Sequence, residues 1–341
     1  MPPKDRDQIA RDVDRLRKFW DARNAQFERW YKLREMRDER KKPNQLSVAL
    51  NDARVFLDLS IHMLSHRPPI VRVPVLGETE PEQNASGGAE MFLRGIHRQI
   101  DQDRYLMGLS PWQRAVADFE CSTGWWAVQN MVLKNPDGTP TFLSDVLDPA
   151  QVYPEYGDRE MRMVAHVYPT TLAVVQSKQQ MLHWEGDFSG DGTQEVEIQD
   201  LWWRDGSGDD MEAVIYNAIL VAQPKRSRSG RADNLVEARP SIVSSEFTRI
   251  PLRVGPVAGW AVRNSRPGDH EAQARYGESI LQAGAPIYDM KNEWATIILR
   301  KAADAVEPNT LLRSRSGRWT VAEDELRSGV AIPVASDQNI E

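Results

Sequence analysis

Several features that would indicate a secreted protein, a membrane protein or a reactive thiol are missing from this sequence. It contains 1 cysteine, Cys121, which excludes an internal disulfide and indicates folding in a reducing compartment. Its neighbours Phe119 and Trp125 favour a buried thiol over a reactive one. No run approaches about 18 apolar residues, so the sequence predicts no membrane helix. The charged N-terminus, with no apolar run behind it, predicts no signal peptide.

The motifs of nucleotide hydrolysis and of zinc catalysis are absent as well. The sequence has no Gly-x-x-x-x-Gly-Lys-Ser/Thr loop, so it predicts no phosphate-binding loop of that type. None of its 6 histidines belongs to a His-Glu-x-x-His motif. His62 and His66 have the spacing of helical metal ligands, but they end an apolar helix, which favours a structural role. We therefore expect no cofactor and no enzymatic activity.

One acidic segment imitates the start of a calcium-binding loop. Asp187, Ser189 and Asp191 place oxygens at its first, third and fifth positions, and a glycine stands at the sixth. The twelfth position is Ile198 rather than the glutamate that completes such a loop. We interpret the segment as a β-turn and keep calcium binding as the alternative.

The charge is negative overall and unevenly distributed. The net charge of −7 argues against tight wrapping around nucleic acid, but it permits a duplex to slide past. Residues 1–42 contain 14 Lys and Arg against 9 Asp and Glu, a net of +5, which leaves −12 for the remainder. The basic, Ser/Gly-containing segment 223–240 is interpreted as an exposed excursion. The alternative is a contact to DNA or to a partner through Lys225, Arg226, Arg228 and Arg231.

Helical periodicity dominates the first part of the chain. Residues 6–42 predict one amphipathic helix, because apolar residues recur on a single stripe: Ile9, Val13, Leu16, Trp20, Phe27 and Tyr31. A second helix at 47–65, capped by Ser47, is apolar on nearly every side and is therefore expected in a core. The pair Pro68 and Pro69 ends it.

An extended strand at 70–73 and a polar loop at 77–88 are expected next. A third helix is predicted at 89–106, with Phe92, Ile96 and Ile100 facing inward. A fourth helix begins at 110–113, where Ser, Pro, Trp and Gln form a helix-start signal with Ser110 as the cap, and it ends near residue 122.

A period of two begins after Gly124. Residues 125–133 and 141–147 predict a β-hairpin around a turn at 135–138. Four further strands are predicted, with a short helix at 170–181 between the first two of them. Those strands lie at 161–167, 195–203, 212–221 and 246–262.

The last long helix is predicted at 276–306, where Pro286 requires a kink or a restart. Its apolar residues form two adjoining seams, which indicates neighbours on two sides, as in a ring of repeated helices. The first seam contains Ile280, Ile287, Trp294, Ile298, Ala302 and Ala305, and the second contains Leu281, Ala285, Tyr288, Ala295 and Leu299. Short β-like pieces follow at 310–312, 319–321 and 330–334.

Five short motifs, in their order along the chain, resemble those of the portal proteins of tailed bacteriophages, particularly of short-tailed phages. The final motif leads into the long helix, which carries an internal Asn292 and Thr296 as in the family. The motifs are Pro-Ile-Val-Arg-Val-Pro at 69–74, a Gly-led strand at 124–126, Pro-Ala-Gln-Val-Tyr at 149–153, Pro-Thr-Thr at 169–171 and Tyr-Gly-Glu-Ser at 276–279.

The resemblance implies an α+β fold in four regions. Residues 1–45 would form the N-terminal amphipathic helix and residues 46–268 a wing of helices followed by mixed and antiparallel strands. Residues 269–306 would form the stem helix, and 307–341 would begin a small β-containing clip. Portal proteins return from the clip through a second stem helix, so we expect this sequence to be a truncated portal.

The resemblance also implies function and partners. The chain would form a homo-oligomeric ring of about twelve copies at the capsid vertex of the virion, assembled in the host cytoplasm, without contact to a membrane. Duplex DNA would pass through non-specifically, and terminase, tail adaptor, capsid and scaffold proteins would dock. ATP hydrolysis would belong to the terminase. Candidates for the channel wall are Asp289, Glu293 and Asp304. Their negative charges would repel the phosphates of the DNA.

Two alternatives remain at this point. Another head–tail adaptor would share ring formation and the lack of catalysis, but adaptors are usually shorter and lack a helix-rich first hundred residues. A carbohydrate-active enzyme is suggested by the 11 tryptophans. It would need a cleft with paired carboxylates, which nothing in the sequence places.

Overall fold

The computed structural model describes residues 6–37, 48–67, 70–74, 80–134, 139–157, 160–182, 190–204, 215–222, 249–257, 277–306, 311–314 and 332–335. These residues confirm the α+β class. The helices are α1 Arg6–Phe19, α2 Asp21–Arg34, α3 Asp52–Ser65, α4 Glu80–Leu106, α5 Trp112–Thr123, α6 Leu172–Leu182 and α7 Ala285–Val306. The strands are β1 Trp125–Lys134, β2 Pro140–Leu147, β3 Val152–Tyr156, β4 Met161–Thr171, β5 Glu195–Arg204, β6 Ile215–Ala222, β7 Leu252–Pro256, β8 Leu311–Ser314 and β9 Ile332–Ala335.

The chain divides into two compact units. The first contains residues 1–30 and 59–280, and the second contains residues 31–58 and 281–341. The first unit holds two antiparallel sheets, with strand orders β2-β1-β7 and β3-β4-β5-β6. The second holds α7 and the parallel pair β8-β9.

The four-stranded sheet of the first unit is covered on both faces by helices. On one face, α6 closes a cluster in which Val175 and Ile198 are buried. On the other face α1 packs on β3 and β5, and Arg17 forms an ion pair of 2.6 Å with Glu197. Glu197 and Ile198 are neighbours in β5, so their side chains point to opposite faces of the sheet. β5 is therefore covered by α6 on one face and by α1 on the other.

The three-stranded sheet is built on the predicted hairpin, which is confirmed. β1 and β2 pair in antiparallel register from Ala127↔Leu147 to Lys134↔Pro140. β7 joins the other edge of β1. Helix α5 packs on both strands of the hairpin, and Phe92 of α4 meets Phe142 edge to face, with ring centroids 5.7 Å apart.

Several further strand and helix predictions are confirmed in position, whereas the predicted strand at 319–321 lies outside the described residues. β4, β5 and α6 agree with the predicted segments to within a few residues. β6 covers Ile215–Ala222, and positions 212–214 of the predicted strand lie outside the described residues. Within the described residues 249–257, β7 is limited to Leu252–Pro256. Cys121 is buried, as expected.

The prediction of one continuous N-terminal helix was wrong, because the helix breaks at Trp20. There the amide N–H is shared between the carbonyls of Leu16, at 3.1 Å, and Arg17, at 3.2 Å, which tightens the turn. The indole N–H of Trp20 donates to the carbonyl oxygen of Pro154 at 2.7 Å. The predicted apolar stripe is confirmed, except that Tyr31 is only partly buried.

The polar loop at 77–88 and the strand at 70–73 were also wrong. Helix α4 already begins at Glu80, and segment 70–74 has no strand partner among the described residues. Instead, the backbone N–H of Val73 donates to Oε1 of Glu90 at 3.0 Å, and Ser86 Oγ donates to the Val73 carbonyl at 2.6 Å. These hydrogen bonds pair the backbone N–H and C=O of Val73, and they hold the extended segment along the first half of α4.

The expected burial of the second and third helices was largely wrong. α3 buries only Ala53, Leu57 and Ile61, while the residues on its other faces are exposed, such as Leu59 at 56%. In α4 only Ile100 is buried as predicted, whereas Phe92 is 59% exposed. The apolar composition of these helices therefore exceeds what a single chain covers.

The predicted cap of α5 was wrong in detail. Pro111 occupies the N-cap position and makes no side-chain capping bond. The first free amide of the helix, that of Trp112, donates instead to Oδ1 of Asp101 at 2.7 Å. The capping oxygen therefore comes from α4 rather than from Ser110.

Candidate assembly site

The long helix of the second unit begins later than predicted, at Ala285 rather than at 276. The residue that decides this is Pro286, which lies in the first turn, where a missing N–H leaves no bond unmade. The amides of Ile287 and Tyr288 both donate to the Gly284 carbonyl at 3.0 Å. The helix therefore restarts at the proline and runs without a kink-forming residue to Val306.

One face of α7 holds the extended segment that precedes α3, within the same unit. Asn292 Oδ1 accepts the backbone N–H of Leu50 at 2.7 Å, and Thr296 Oγ1 accepts that of Val48 at 3.2 Å. Lys291 forms an ion pair with Asp52. Asn292 and Thr296 are one turn apart, so their side-chain oxygens accept hydrogen bonds from alternate backbone N–H groups of the segment. This gives a physical role to the two polar residues noted in the sequence motif.

The two predicted seams of α7 have different environments. The second seam faces inward, because Leu281 and Ala285 are buried and Tyr288 and Ala295 are partly buried; Leu299 is 40% exposed. The first seam faces outward, and Trp294 lies about 200° around the helix from Asn292. The large apolar residues on that side are 50% to 64% exposed: Ile287, Met290, Trp294, Ile297 and Ile298.

A charged stripe separates these two faces. Asp289 and Glu293 are exposed and stand one turn apart. Asp304 belongs to the same helix and lies about 20° from Glu293 by helical geometry; its side chain is outside the described residues. The three candidates for a channel wall therefore share one side of α7, together with the exposed Arg300.

Two of the glycine-containing motifs, at 124–126 and 276–279, meet around Trp125, although they are far apart in sequence. The side chain of Trp125 is fully buried. Gly124 has φ +73°, and a Cβ there would overlap the backbone of Glu278. Ser279 Oγ donates to the Cys121 carbonyl at 3.0 Å, and the amide of Ile280 donates to the same oxygen at 3.1 Å. Both glycine-containing motifs therefore form one packed junction.

Sequence reasoning missed Arg23, the charged residue at the centre of this junction. Its side chain is 1% exposed, and its guanidinium carbon lies 4.9 Å from the Trp125 ring centroid. Nη2 donates to the carbonyls of Pro149, at 3.1 Å, and Val152, at 2.8 Å. The arginine thus connects the N-terminal helices to the Pro-Ala-Gln-Val-Tyr turn. The sequence signal for its burial is its position on the apolar stripe, between Trp20 and Phe27.

The other predicted sites are only partly visible. Asp187 and Ser189 lie outside the described residues. The carboxylate of Asp191 accepts the backbone N–H of Thr193 at 3.0 Å and its hydroxyl at 2.8 Å, which lowers the pKa of Asp191. The Gln194 amide closes a turn on the Asp191 carbonyl at 2.9 Å. The basic residues Lys225, Arg226, Arg228 and Arg231 all lie outside the described part of the chain.

Neither a metal site nor a membrane-spanning helix is found among the described residues. No group of three or more His, Cys, Asp or Glu side chains is placed to hold a metal ion in that part of the chain. None of the described helices combines the length and apolarity that crossing a membrane requires. No protein-family model matches this chain, and no curated protein sequence matches it.

Proposed function

We propose that this chain is a subunit of a tailed-phage portal, a ring at the capsid vertex through which the genome is packaged and ejected. The observation that carries the proposal is the outward apolar seam of α7. Trp294 and Ile298 are 64% and 63% exposed, on a helix whose opposite face is already occupied by segment 48–52. Large exposed apolar patches on soluble proteins mark interaction surfaces. An apolar seam that extends along a helix suits packing against a second copy of the chain.

The three faces of α7 fit the geometry of a ring. The polar face with Asn292 and Thr296 binds the helix to its own subunit. The apolar seam would contact a neighbouring subunit in a head-to-tail ring. The stripe with Asp289 and Glu293 would then line the channel, where its negative charge repels phosphate within about 10 Å at moderate ionic strength. This arrangement lets a duplex slide without adhering.

In this proposal the protein acts mechanically. It guides duplex DNA without reading its sequence, while the terminase hydrolyses ATP. The tail adaptor, capsid and scaffold proteins bind its outer surfaces. The ring would assemble in the host cytoplasm and remain in the virion.

The decisive measurement is the mass of the purified protein by light scattering, combined with negative-stain images of the same fraction. A monomer has a mass of 38.8 kDa, and we expect rings of about twelve copies with a central hole. Trp294→Asp should reduce the ring fraction at least tenfold. The exposed position of Trp294 means that this change leaves the subunit folded, which circular dichroism checks.

Glu293→Gln is the matched control, because it lies next to Trp294 in sequence but on the charged stripe. Rings should persist in this variant. A wild-type protein that remains a monomer, or rings that survive Trp294→Asp, would contradict the proposal. A monomer that binds an oligosaccharide would favour the enzyme alternative.

The orientation of the charged stripe has its own test. Changing both Asp289 and Glu293 to lysine should leave rings intact and make them retain linear duplex DNA at low salt, with release as salt increases. Native gels with linear and closed circular DNA of equal length report this, since only linear DNA can thread. Unchanged DNA retention would place the stripe away from the channel.

A further inference from the structure

A cavity of about 400 Å³ lies between α4, the first turn of α5 and segment 70–74, all within the first unit. Its size is in the range of small-molecule sites. The cavity is lined by Ile70, Val71, Arg94, His97, Arg98, Asp101, Trp112 and Gln113. The carboxylate of Asp101 already accepts the backbone N–H of Trp112. None of the lining residues belongs to the proposed assembly surface on α7.

One wall of the cavity is cationic. His97 and Arg98 stand three and four residues after Arg94, so all three lie on one face of α4. Arg98 is exposed and forms no ion pair with any described residue. Arg94 is bound only loosely, with its Nη2 3.4 Å from Oε2 of Glu90. Two guanidinium groups can therefore turn toward an anion in the cavity.

The remaining walls are aromatic and aliphatic. Trp112 and His97 meet edge to face, with ring centroids 5.9 Å apart. Ile70 is 78% exposed although it lines the cavity. The indole N–H of Trp112 is buried and meets no acceptor among the described residues. A buried donor without an acceptor is unfavourable, so a ligand that brings an acceptor would relieve it.

Hydrogen bonds connect the elements that form the walls of the cavity. Val73 is fixed to α4 through Glu90 and Ser86. The amide of Trp112 donates to Asp101, and Gln113 Nε2 donates to the Leu64 carbonyl at 2.7 Å. The cavity is therefore pre-formed, which reduces the ordering entropy lost on binding.

We propose that this cavity binds a nucleotide, with its base against Trp112 and His97 and its phosphate on Arg94 and Arg98. An inorganic oxyanion is too small to reach both the guanidinium groups and the aromatic wall. A neutral aromatic ligand would leave the guanidinium groups without a partner. A planar ring that carries a phosphate uses both walls and supplies hydrogen-bond acceptors, and bases stack favourably on aromatic side chains.

Isothermal titration calorimetry with adenosine 5′-monophosphate tests this inference on the purified full chain. We expect binding that weakens about tenfold or more in Arg98→Ala. Arg162→Ala is the matched control, since Arg162 is also an exposed arginine of the first unit but lies on β4, and it should bind as the wild type does. Trp112→Phe keeps an aromatic ring but removes the N–H donor, and it should weaken binding as well.

Further titrations identify the source of the nucleotide. Adenosine alone and inorganic phosphate alone should each bind at least tenfold more weakly than the nucleotide. Tighter binding of a single-stranded hexadeoxyadenylate assigns the site to a nucleic-acid strand, and equal or weaker binding assigns it to a free nucleotide.

Three outcomes would overturn the inference. These are no binding of the nucleotide, equal binding in Arg98→Ala, and Arg98-dependent binding of a glutamyl-phenylalanine dipeptide in its place. The inference does not depend on the proposed function, because the titration reads the first unit whether or not rings form.

Discussion

Gly277 lies directly against the indole of Trp125, so that a Cβ at position 277 would overlap Nε1 of that ring. It has φ +87°, and the added carbon would also lie 2.7 Å from the carbonyl oxygen of Gly124. The two residues are 152 positions apart in the sequence, yet the fold leaves no space between them for a side chain at position 277. This contact explains why a glycine-tryptophan motif and a second glycine motif occur in one chain.

Gly277→Ala should destabilise the first unit by more than about 3 kcal/mol, because it combines a steric overlap with a left-handed backbone. Gly95→Ala is the control, since Gly95 lies in α4 with nothing within 4 Å of its Cβ position. That change should be neutral or stabilise by up to about 1 kcal/mol. Pulsed thiol labelling of Cys121 in urea measures both, because this thiol is buried in the same unit.

Cys121 should react slowly with the labelling reagent while the first unit is folded. Burial raises the pKa of the Cys121 thiol to about 11, so the folded unit contains little thiolate and reacts slowly near neutral pH. Labelling therefore reports unfolding of the first unit alone. Equal stability of the two glycine variants would contradict the close packing of Gly277 on Trp125.

Arg23→Lys should destabilise the first unit by about 2–4 kcal/mol. A lysine has one ammonium group in place of a planar fork, so it cannot serve the carbonyls of Pro149 and Val152 while stacking between aromatic rings. Arg11→Lys is the control, because Arg11 is exposed on α1; it should change stability by less than about 0.5 kcal/mol. Thiol labelling of Cys121 compares the two, and similar values would show that Arg23 acts only as a charge.

His166 and Asp200 should give opposite pH dependences of stability. They are directly paired across β4 and β5. Burial, with a smaller contribution from the charge of nearby Lys178, lowers the pKa of His166 to about 4. Burial raises the pKa of Asp200 to about 6, although hydrogen bonds from Asn217 and Trp202 and the charge of Lys178 oppose this.

The signs follow from the unfolded pKa values, about 6.5 for histidine and about 3.9 for aspartate. The His166 contribution is complete above about pH 6.5 and is lost as the pH falls to about 4. The Asp200 contribution is complete below about pH 4 and is lost as the pH rises to about 6. Each amounts to at most about 3 kcal/mol, and the two largely cancel in the wild type.

Single substitutions should expose each contribution. Relative to the wild type, Asp200→Asn should gain stability as the pH rises from 4 to 6.5, and His166→Gln should lose stability over the same range. Urea denaturation followed by tryptophan fluorescence at several pH values measures this. Two variants with the same slope as the wild type would show that neither group is shifted.

Asn292→Ala should loosen the segment that precedes α3. It removes the acceptor of the Leu50 amide, a loss of about 1 kcal/mol, which corresponds to roughly fivefold faster hydrogen exchange in a peptide that covers residues 48–52. Asn292→Asp retains an oxygen at the same place and should exchange like the wild type. Equal exchange in all three proteins would show that the bond contributes nothing to order there.

Elements with local signals could be predicted from the sequence. Two strand-like runs, 125–133 and 141–147, are separated by the turn-forming residues at 135–138, so the pairing of β1 with β2 was predictable. Pro286 left two alternatives, a kink or a new helix start, and the structure has the start, at Ala285. The two seams of α7 were also visible, since helical spacing depends only on the order of residues.

Tertiary structure alone decided which of these surfaces are covered. Helical spacing gives α3 apolar residues on nearly every side, but only packing shows that Ala53, Leu57 and Ile61 are the ones a single chain buries. The start of α4 and the conformation of segment 70–74 depend on bonds between Val73, Ser86 and Glu90, which no local pattern encodes. Arg23 and Gly277 acquire their roles from Trp125, a residue more than a hundred positions from each. Burial and close approach are properties of pairs distant in sequence, so periodicity predicts the elements and only the fold selects their partners.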